Sequence, residues 1–178
     1  MKKDPKDVIT FWFETSTPKQ WYSKDDAYDE QIKRDFLDTY WQVVRGECSS
    51  WRDNPEGRLA EIIVLDQFSR NMFRGEAQSF MYDPLALALA QGMVRDGDDK
   101  KLAATHRSFA YMPYMHSESK VVHEEALLLF QSLDGNAEYE VKHKKIIDTF
   151  GRYPHRNEIL GRSSTPQELE FLKSNSGF

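Results

Sequence analysis

Asn54-Pro55-Glu56-Gly57-Arg58-Leu59-Ala60-Glu61-Ile62-Ile63-Val64-Leu65-Asp66-Gln67-Phe68-Ser69-Arg70-Asn71-Met72-Phe73-Arg74-Gly75 is the stretch that decides the fold. Asn54 before Pro55 reads as a helix start. An Asn side chain accepts a backbone N–H at the N-cap, and Pro is pre-set for the first helical position. Ile62, Ile63, Val64, Leu65 and Phe68 then point in nearly all directions at about 100° per residue. A helix apolar all round belongs at the centre of its fold. The spacing predicts a central helix over roughly 55–72. Its polar stripe comes late: Asp66, Gln67, Arg70 and Arg74 share one face with Leu59 and Ile63.

Outward from this segment the punctuation stays helical. Asp4-Pro5 opens a short helix carrying Val8, Ile9, Phe11, Trp12 and Phe13. Residues 15–20 read as a turn containing Pro18. Ser23 and Asp26 resemble a capping box, so a second helix is expected from near Ser23, with Tyr28, Ile32, Phe36, Tyr40 and Val43 or Val44 as its stripe and Gly46 as its stop. Asp83-Pro84 opens a Leu- and Ala-rich helix, and a helix over about 99–111 should end before Pro113. Ser117 or Ser119 caps the next, which runs through Leu133 to a stop at Asp134-Gly135. Asn136 caps another, with Tyr139, His143, Ile146, Ile147 and Phe150 on one face. A short helix is expected between Pro154 and Gly161, and Thr165-Pro166-Gln167-Glu168 is a capping box for a last helix to about 174. No stretch alternates strictly between hairpin turns, so no sheet is expected. The pattern predicts one all-α domain over residues 1–178, built as eight or nine helices in stacked antiparallel hairpins. No internal repeat is visible.

Composition narrows the function classes. The hydrophobic share is only 39%, but four Trp, eight Tyr and eleven Phe can build a core from few positions. A net charge of -5 argues against a general nucleic-acid binder, which needs a basic surface. Cys48 is the only cysteine, so an intramolecular disulfide and a Cys-based metal site are both excluded. That usage fits a reducing compartment, and no signal peptide or bilayer-length apolar run is visible. The expectation is a cytoplasmic protein with no membrane partner. Leu127-Leu128-Leu129-Phe130 exceed what one helix face needs, which points to a central helix or a homodimer contact.

Several constellations carry chemistry, each with a plainer alternative. Asp66 and Arg70 are four apart and can pair along a helix, as an ordinary surface ion pair or as the lining of a cleft. Arg70 and Arg74 would suit an anionic group, because guanidinium forks match carboxylates and phosphates. His143 lies on an apolar helix face, where it is either a satisfied buried histidine or an acid/base group turned toward Asp66. Pro154-His155-Arg156-Asn157 sits at a helix start, where free N–H groups favour anions or merely cap. His116-Ser117-Glu118 reads as a site for a metal or a polar ligand, or as a cap for the following helix. The familiar metal signatures are missing: His123-Glu124 does not complete a zincin helix, since position 127 is Leu where the second histidine would stand. No phosphate loop, dinucleotide fingerprint or nucleophile elbow is present, and no cofactor or metal is expected.

Read together, these segments resemble the bacterial family designated domain of unknown function 924. The resemblance rests on Phe11-Trp12-Phe13, Trp21-Tyr22-Ser23-Lys24-Asp25, the Leu65–Gly75 run, Asp83-Pro84-Leu85-Ala86, and Tyr111-Met112-Pro113 with His116-Ser117-Glu118. It continues through Phe150-Gly151-Arg152-Tyr153-Pro154-His155-Arg156-Asn157, Ile159-Leu160-Gly161-Arg162 and Ser164-Thr165-Pro166. It implies an all-α, tetratricopeptide-like helical stack and brings no reaction. Ser69 departs from the family's pattern, which more often has Pro.

Three functions follow as expectations. The first is binding of a small anionic molecule or peptide in a polar groove lined by Gln67, Arg70, Asn71, Arg74, His116, Glu118, Arg152, Arg156 and Asn157. The second is a small-molecule enzyme, with His143 or His155 as acid/base, Asp66 or Glu118 as the orienting carboxylate and arginines as anion clamps. The third is a scaffold for protein–protein interaction whose polar motifs only tie helices together. A histidine and a carboxylate in hydrogen-bond reach would favour the second.

Overall fold

Asn54 caps the central rod as its sequence predicts. Its side-chain oxygen accepts the Gly57 N–H at 2.8 Å. Gly57 is required there, since a Cβ would stand 1.9 Å from the Trp51 carbonyl oxygen. Every residue from Leu59 to Asp66 is fully buried, Glu61 included. Arg52 grips Glu61 there at 2.7 and 3.1 Å, so the buried carboxyl has a partner on both oxygens. The rod departs from a regular helix at residues 64–68, where it widens to a π turn.

The computed structural model describes residues 3–133 and 137–175. In chain order its helices are α1 (Pro5–Ile9), continued by a π turn at Thr10–Thr15; α2 (Pro18–Tyr22); α3 (Asp26–Val44); and α4 (Pro55–Ile63), joined through the π turn Val64–Phe68 to α5 (Ser69–Met72). Then come α6 (Asp83–Asp96), α7 (Ala104–Met115), α8 (Lys120–Gln131), α9 (Ala137–Phe150) and α10 (Pro166–Leu172). With α4 and α5 counted as one rod, the described residues hold nine helices and no strand. The fold is all-α, as expected.

The central rod packs against α1, α6 and α7, and from α6 to α9 each helix packs on the next. Aromatic side chains fill the space. Trp12 meets Phe68 and Phe109 edge-on, each at 5.6 Å, and Phe11 meets Phe36 at 5.0 Å. A smaller apolar cluster of Ile146, Ile147 and Tyr153, with Phe150 and Phe171, lies under the C-terminal segment. On α8 Phe130 is buried, while Val121 and Leu128 stay 80% and 68% exposed. No helix among the described residues is long and apolar enough to cross a membrane.

Four boundaries differ from the sequence reading. Residues 18–22 form α2 rather than a turn, because Thr17 and Gln20 close a capping box around Pro18. The following helix is capped by Asp25, which accepts the Ala27 and Tyr28 N–H groups; Ser23 ends α2 instead. Helix α7 starts at Ala104 and runs through Pro113 to Met115. An interior proline costs about 3 kcal/mol. Burying Tyr114 and Met115 beyond it offsets that, at about 1.5–3 kcal/mol per large apolar side chain. Between Pro154 and Gly161 the chain makes one 3-10 turn, Pro154–Arg156, and then turns, with Gly161 left-handed at φ 65°. The Ser119 cap, the Thr165–Glu168 capping box and the buried stripe of α3 agree with the sequence. The expected stop at Asp134-Gly135 and cap at Asn136 lie outside the described residues.

Candidate functional site

The π turn sets the first half of the site. It holds one residue more than an α turn, and such insertions re-aim the faces that follow. Ser69 donates its hydroxyl to the Leu65 carbonyl at 2.5 Å, taking up a backbone acceptor of this turn. Asp66 sits inside the turn, fully buried. One carboxylate oxygen meets His116 Nδ1 at 2.8 Å and Arg70 Nη1 at 3.3 Å, and the other accepts from Gln67 at 2.6 Å. Burial alone would raise its carboxyl. Arg70 first, then His116 and the hydrogen bonds, outweigh burial and hold it well below the usual carboxylate range. Asp66 is therefore ionised, and His116 donates from Nδ1. The neutral ring keeps its Nε2 lone pair, and no described residue hydrogen-bonds that nitrogen. Burial, then Arg70, keeps the imidazole less basic than usual, against the pull of Asp66.

The second half is the turn that carries His116. Three successive carbonyls leave the end of α7, where helices run out of partners. Each is taken by a side chain. Tyr153 donates its hydroxyl to Met115 O at 2.5 Å, Arg156 donates Nη2 to His116 O at 3.0 Å, and His123 Nε2 lies 2.9 Å from Ser117 O. Glu118, next along, accepts the Tyr153 N–H at 2.7 Å and a bidentate fork from Arg162 at 2.6 and 2.9 Å. The C-terminal segment thus clamps the 115–118 turn against the π turn.

Asp83 joins the halves. Arg70 forks onto it at 3.0 and 2.9 Å, and Arg156 reaches it at 3.3 Å. Arg156 lies over both Phe80 and Tyr153, with its guanidinium carbon 4.5 and 4.7 Å from the ring centres. Its Nε is buried without a hydrogen-bond partner among the described residues.

Histidines surround Tyr153. The His116 and His143 rings are 6.5 Å apart, His143 is 5.8 Å from Tyr153, and His155 is 5.5 Å from it. His143 donates Nδ1 to the Tyr139 carbonyl at 2.7 Å, and burial pushes it down to about 3. His155 is half-buried and makes no hydrogen bond to a described residue; burial, then Arg156, pushes it down to about 4. Near neutral pH this is a cluster of uncharged imidazoles beside ionised Asp66. His155 also borders a cleft of about 550 Å³ between the 154–164 segment and α10, with Arg162, Ser164 and Leu169 in its lining. Among the described residues, no group of three or more His, Cys, Asp or Glu side chains is placed to hold a metal ion.

The residues singled out by sequence separate into two sets. Asp66, Gln67, Arg70, His116, His143, His155 and Arg156 converge. Arg74 and Asn71 turn away to Asp29, which takes Arg74 at 2.6 and 3.0 Å and Asn71 at 2.7 Å. Arg152 forks onto Glu168 at 2.7 and 2.8 Å and reaches Ser163 O at 2.8 Å. Asn157 bonds Ser164 at 3.0 Å and Arg162 at 2.9 Å, while Glu118 serves the clamp. Sequence reasoning missed Asp83, His123, Glu140, Tyr153 and Arg162 as site partners. Asp83 read as a helix opener and His123 as half of an absent metal motif; no local signal marks either.

Similarity to other proteins agrees with this architecture. A family model described as bacterial protein of unknown function (DUF924) matches residues 8–176. The solved structure of a protein of unknown function from Agrobacterium tumefaciens is similar to the chain at 36% identity and a TM-score of 0.92, covering 96% of this chain and 97% of that one. No curated protein matches the sequence.

Proposed function

The chain belongs to the DUF924 family of bacterial proteins, and from that footing we propose that it is a small-molecule protein with an acid–base centre at His116. The observation that carries this reading is the Asp66–His116 pair at 2.8 Å, with the far ring nitrogen free of any described hydrogen-bond partner. A buried carboxylate that fixes the imidazole tautomer and steadies its protonated form is how a histidine is readied to take and return a proton. The ligand is a small polar molecule whose exchangeable proton faces His116 Nε2, with His143 and His155 alongside. An anionic group meets Arg70 and Arg156 only in competition with Asp83, which already pairs with both. The lone, buried Cys48 fits a reducing compartment, and we place the protein in the cytoplasm.

The scaffold reading is favoured by the ties at Asp29, Glu168 and Glu118, where polar motif residues only join segments. A thermal-shift panel of carboxylates, phosphates, nucleotides and small amides on wild type and His116→Gln separates the two. Ligand at a hundredfold its Kd adds about 2.7 kcal/mol to the native state. The acid–base reading expects such a shift in wild type and its loss in a folded His116→Gln. Absence of any hit, or hits unchanged by the substitution, would support the scaffold.

A further inference from the structure

One pair of titratable groups lies beneath this site without entering it. His123 and Glu140 are both fully buried, with His123 Nδ1 2.6 Å from Glu140 Oε1. The geometry assigns their shared proton. His123 Nε2 faces Ser117 O at 2.9 Å and the Tyr153 hydroxyl oxygen at 3.3 Å. Ser117 O only accepts, and the Tyr153 proton is committed to Met115 O. Nε2 must therefore carry a hydrogen. The remaining bond, to Glu140, joins either a charged imidazolium to a carboxylate or a neutral imidazole to a carboxylic acid. Glu140 Oε2 decides between them, being buried with no hydrogen-bond partner among the described residues. A carboxylate would leave full charge on an unpaired buried oxygen, whereas an acid leaves there only a weakly accepting carbonyl.

We infer that Glu140 is held as a neutral carboxylic acid that donates to His123 Nδ1, and that this uncharged pair is the positioning device for the His116 turn. Through Nε2 it fixes Ser117 O, and through the Tyr153 oxygen it sets the hydroxyl that fixes Met115 O. Both neighbours of His116 are thereby held. The charged groups that act on Glu140 are Lys144 and Asp148 on its own helix, with His123 facing it from α8. Lys144 is matched by Glu124 and Asp148, so it leaves no net cation to ionise the acid. Burial, more than the opposing pull of His123, raises the Glu140 carboxyl in the same direction. The positioning role rests on the reading of His116 as the reactive group; the protonation state does not.

The test compares wild type with Glu140→Gln and Glu140→Ala at pH 7. Gln reproduces the shape and the donor of a protonated acid. Infrared difference spectra of wild type against Glu140→Gln should show the carbonyl stretch of a protonated carboxylic acid lost on substitution. Glu140→Gln should keep the wild-type melting temperature and the wild-type titration of the His116 ring by NMR. Glu140→Ala should melt lower and change the His116 proton affinity by more than about threefold, half the ordinary one-unit spread among folded proteins. A carboxylate signature instead of the acid band overturns the protonation assignment whatever His116 does. So does a Gln variant as damaged as the Ala variant. An acid band with His116 titration unmoved in a folded Ala variant overturns the positioning role.

Discussion

Arg70 lies on the central rod and Arg74 in the turn just past its end, four positions on, yet they end in different kinds of place. Arg74 forks onto Asp29 together with Asn71, binding the end of the central rod to α3. In that knot both Asp29 oxygens are taken and the partners saturate one another. Arg70 joins Asp66 and Asp83 beside a turn whose histidine has a nitrogen to spare. The first region has spent its hydrogen bonds on holding helices together. The second spends as many on holding one imidazole in a chosen orientation. Similar residue types, four positions apart, separate into a tie and a site according to whether valence is left over.

Asp66→Ala should have the largest effect, because it strips the acceptor from a buried arginine, a histidine and a glutamine at once. A loss of about 3–5 kcal/mol is expected from urea unfolding, the range for breaking a buried charge pair. A loss below about 1 kcal/mol would mean that the Asp66 network is solvated, and the contrast with the Asp29 knot would collapse.

Acid should weaken the histidine region before it touches the carboxylate ties. His143 and His155 are depressed from 6.5 to about 3 and about 4. Above 6.5 both are neutral folded and unfolded, and their contribution is fully present. As pH falls, the unfolded chain takes up protons that the folded chain refuses, so stability is lost down through the folded values. The slope is about 1.4 kcal/mol per pH unit for each histidine. Carboxylates such as Asp66 and Glu118, lowered from ordinary values of 3.8 and 4.5, lose their contribution only further down. Urea midpoints between pH 6.5 and 4.5 therefore report the histidines, and His143→Gln should flatten the limb. A wild-type limb already flat there would place both rings in contact with water.

Asp29→Ala should cost roughly 1–3 kcal/mol, since it leaves Asn71 and a partly exposed Arg74 without their acceptor. The His116 ring signals should not move. If they do, the two regions are one network and the distinction between tie and site fails.

The sequence carried the local half of this contrast. The Asn54-Pro55 start, the Asp66–Arg70 pair four apart and the Thr165–Glu168 box are short-range chemistry, and each is where its spacing places it. The division between Arg70 and Arg74 was not legible. The π turn inserts a residue that a regular helical period does not announce, so the face of Leu59 and Ile63 no longer runs on into the arginines. Nor was the pairing of Asp66 with His116, fifty residues away, or the closure of the His116 turn by Tyr153, Arg156 and His123. Those bonds depend on how α7, α8 and α9 stack. His116 and Arg156 stood out as polar residues at helix ends, but which carbonyl or carboxylate each would meet is decided by tertiary packing.

His116→Gln should have the smallest effect on the fold and is the sharpest use of the comparison. A glutamine side chain can still donate to Asp66, and the clamp on residues 115–118 acts through backbone carbonyls that the substitution leaves in place. The stability change should stay within about 1 kcal/mol, the net worth of one hydrogen bond. What disappears is the basic ring nitrogen, and with it any ligand stabilisation that wild type shows. A residue this well buttressed whose loss the fold hardly registers is held there for its chemistry. If His116→Gln instead destabilises as much as Asp29→Ala while ligand shifts persist, the imidazole is one more tie, and the spare nitrogen has no use.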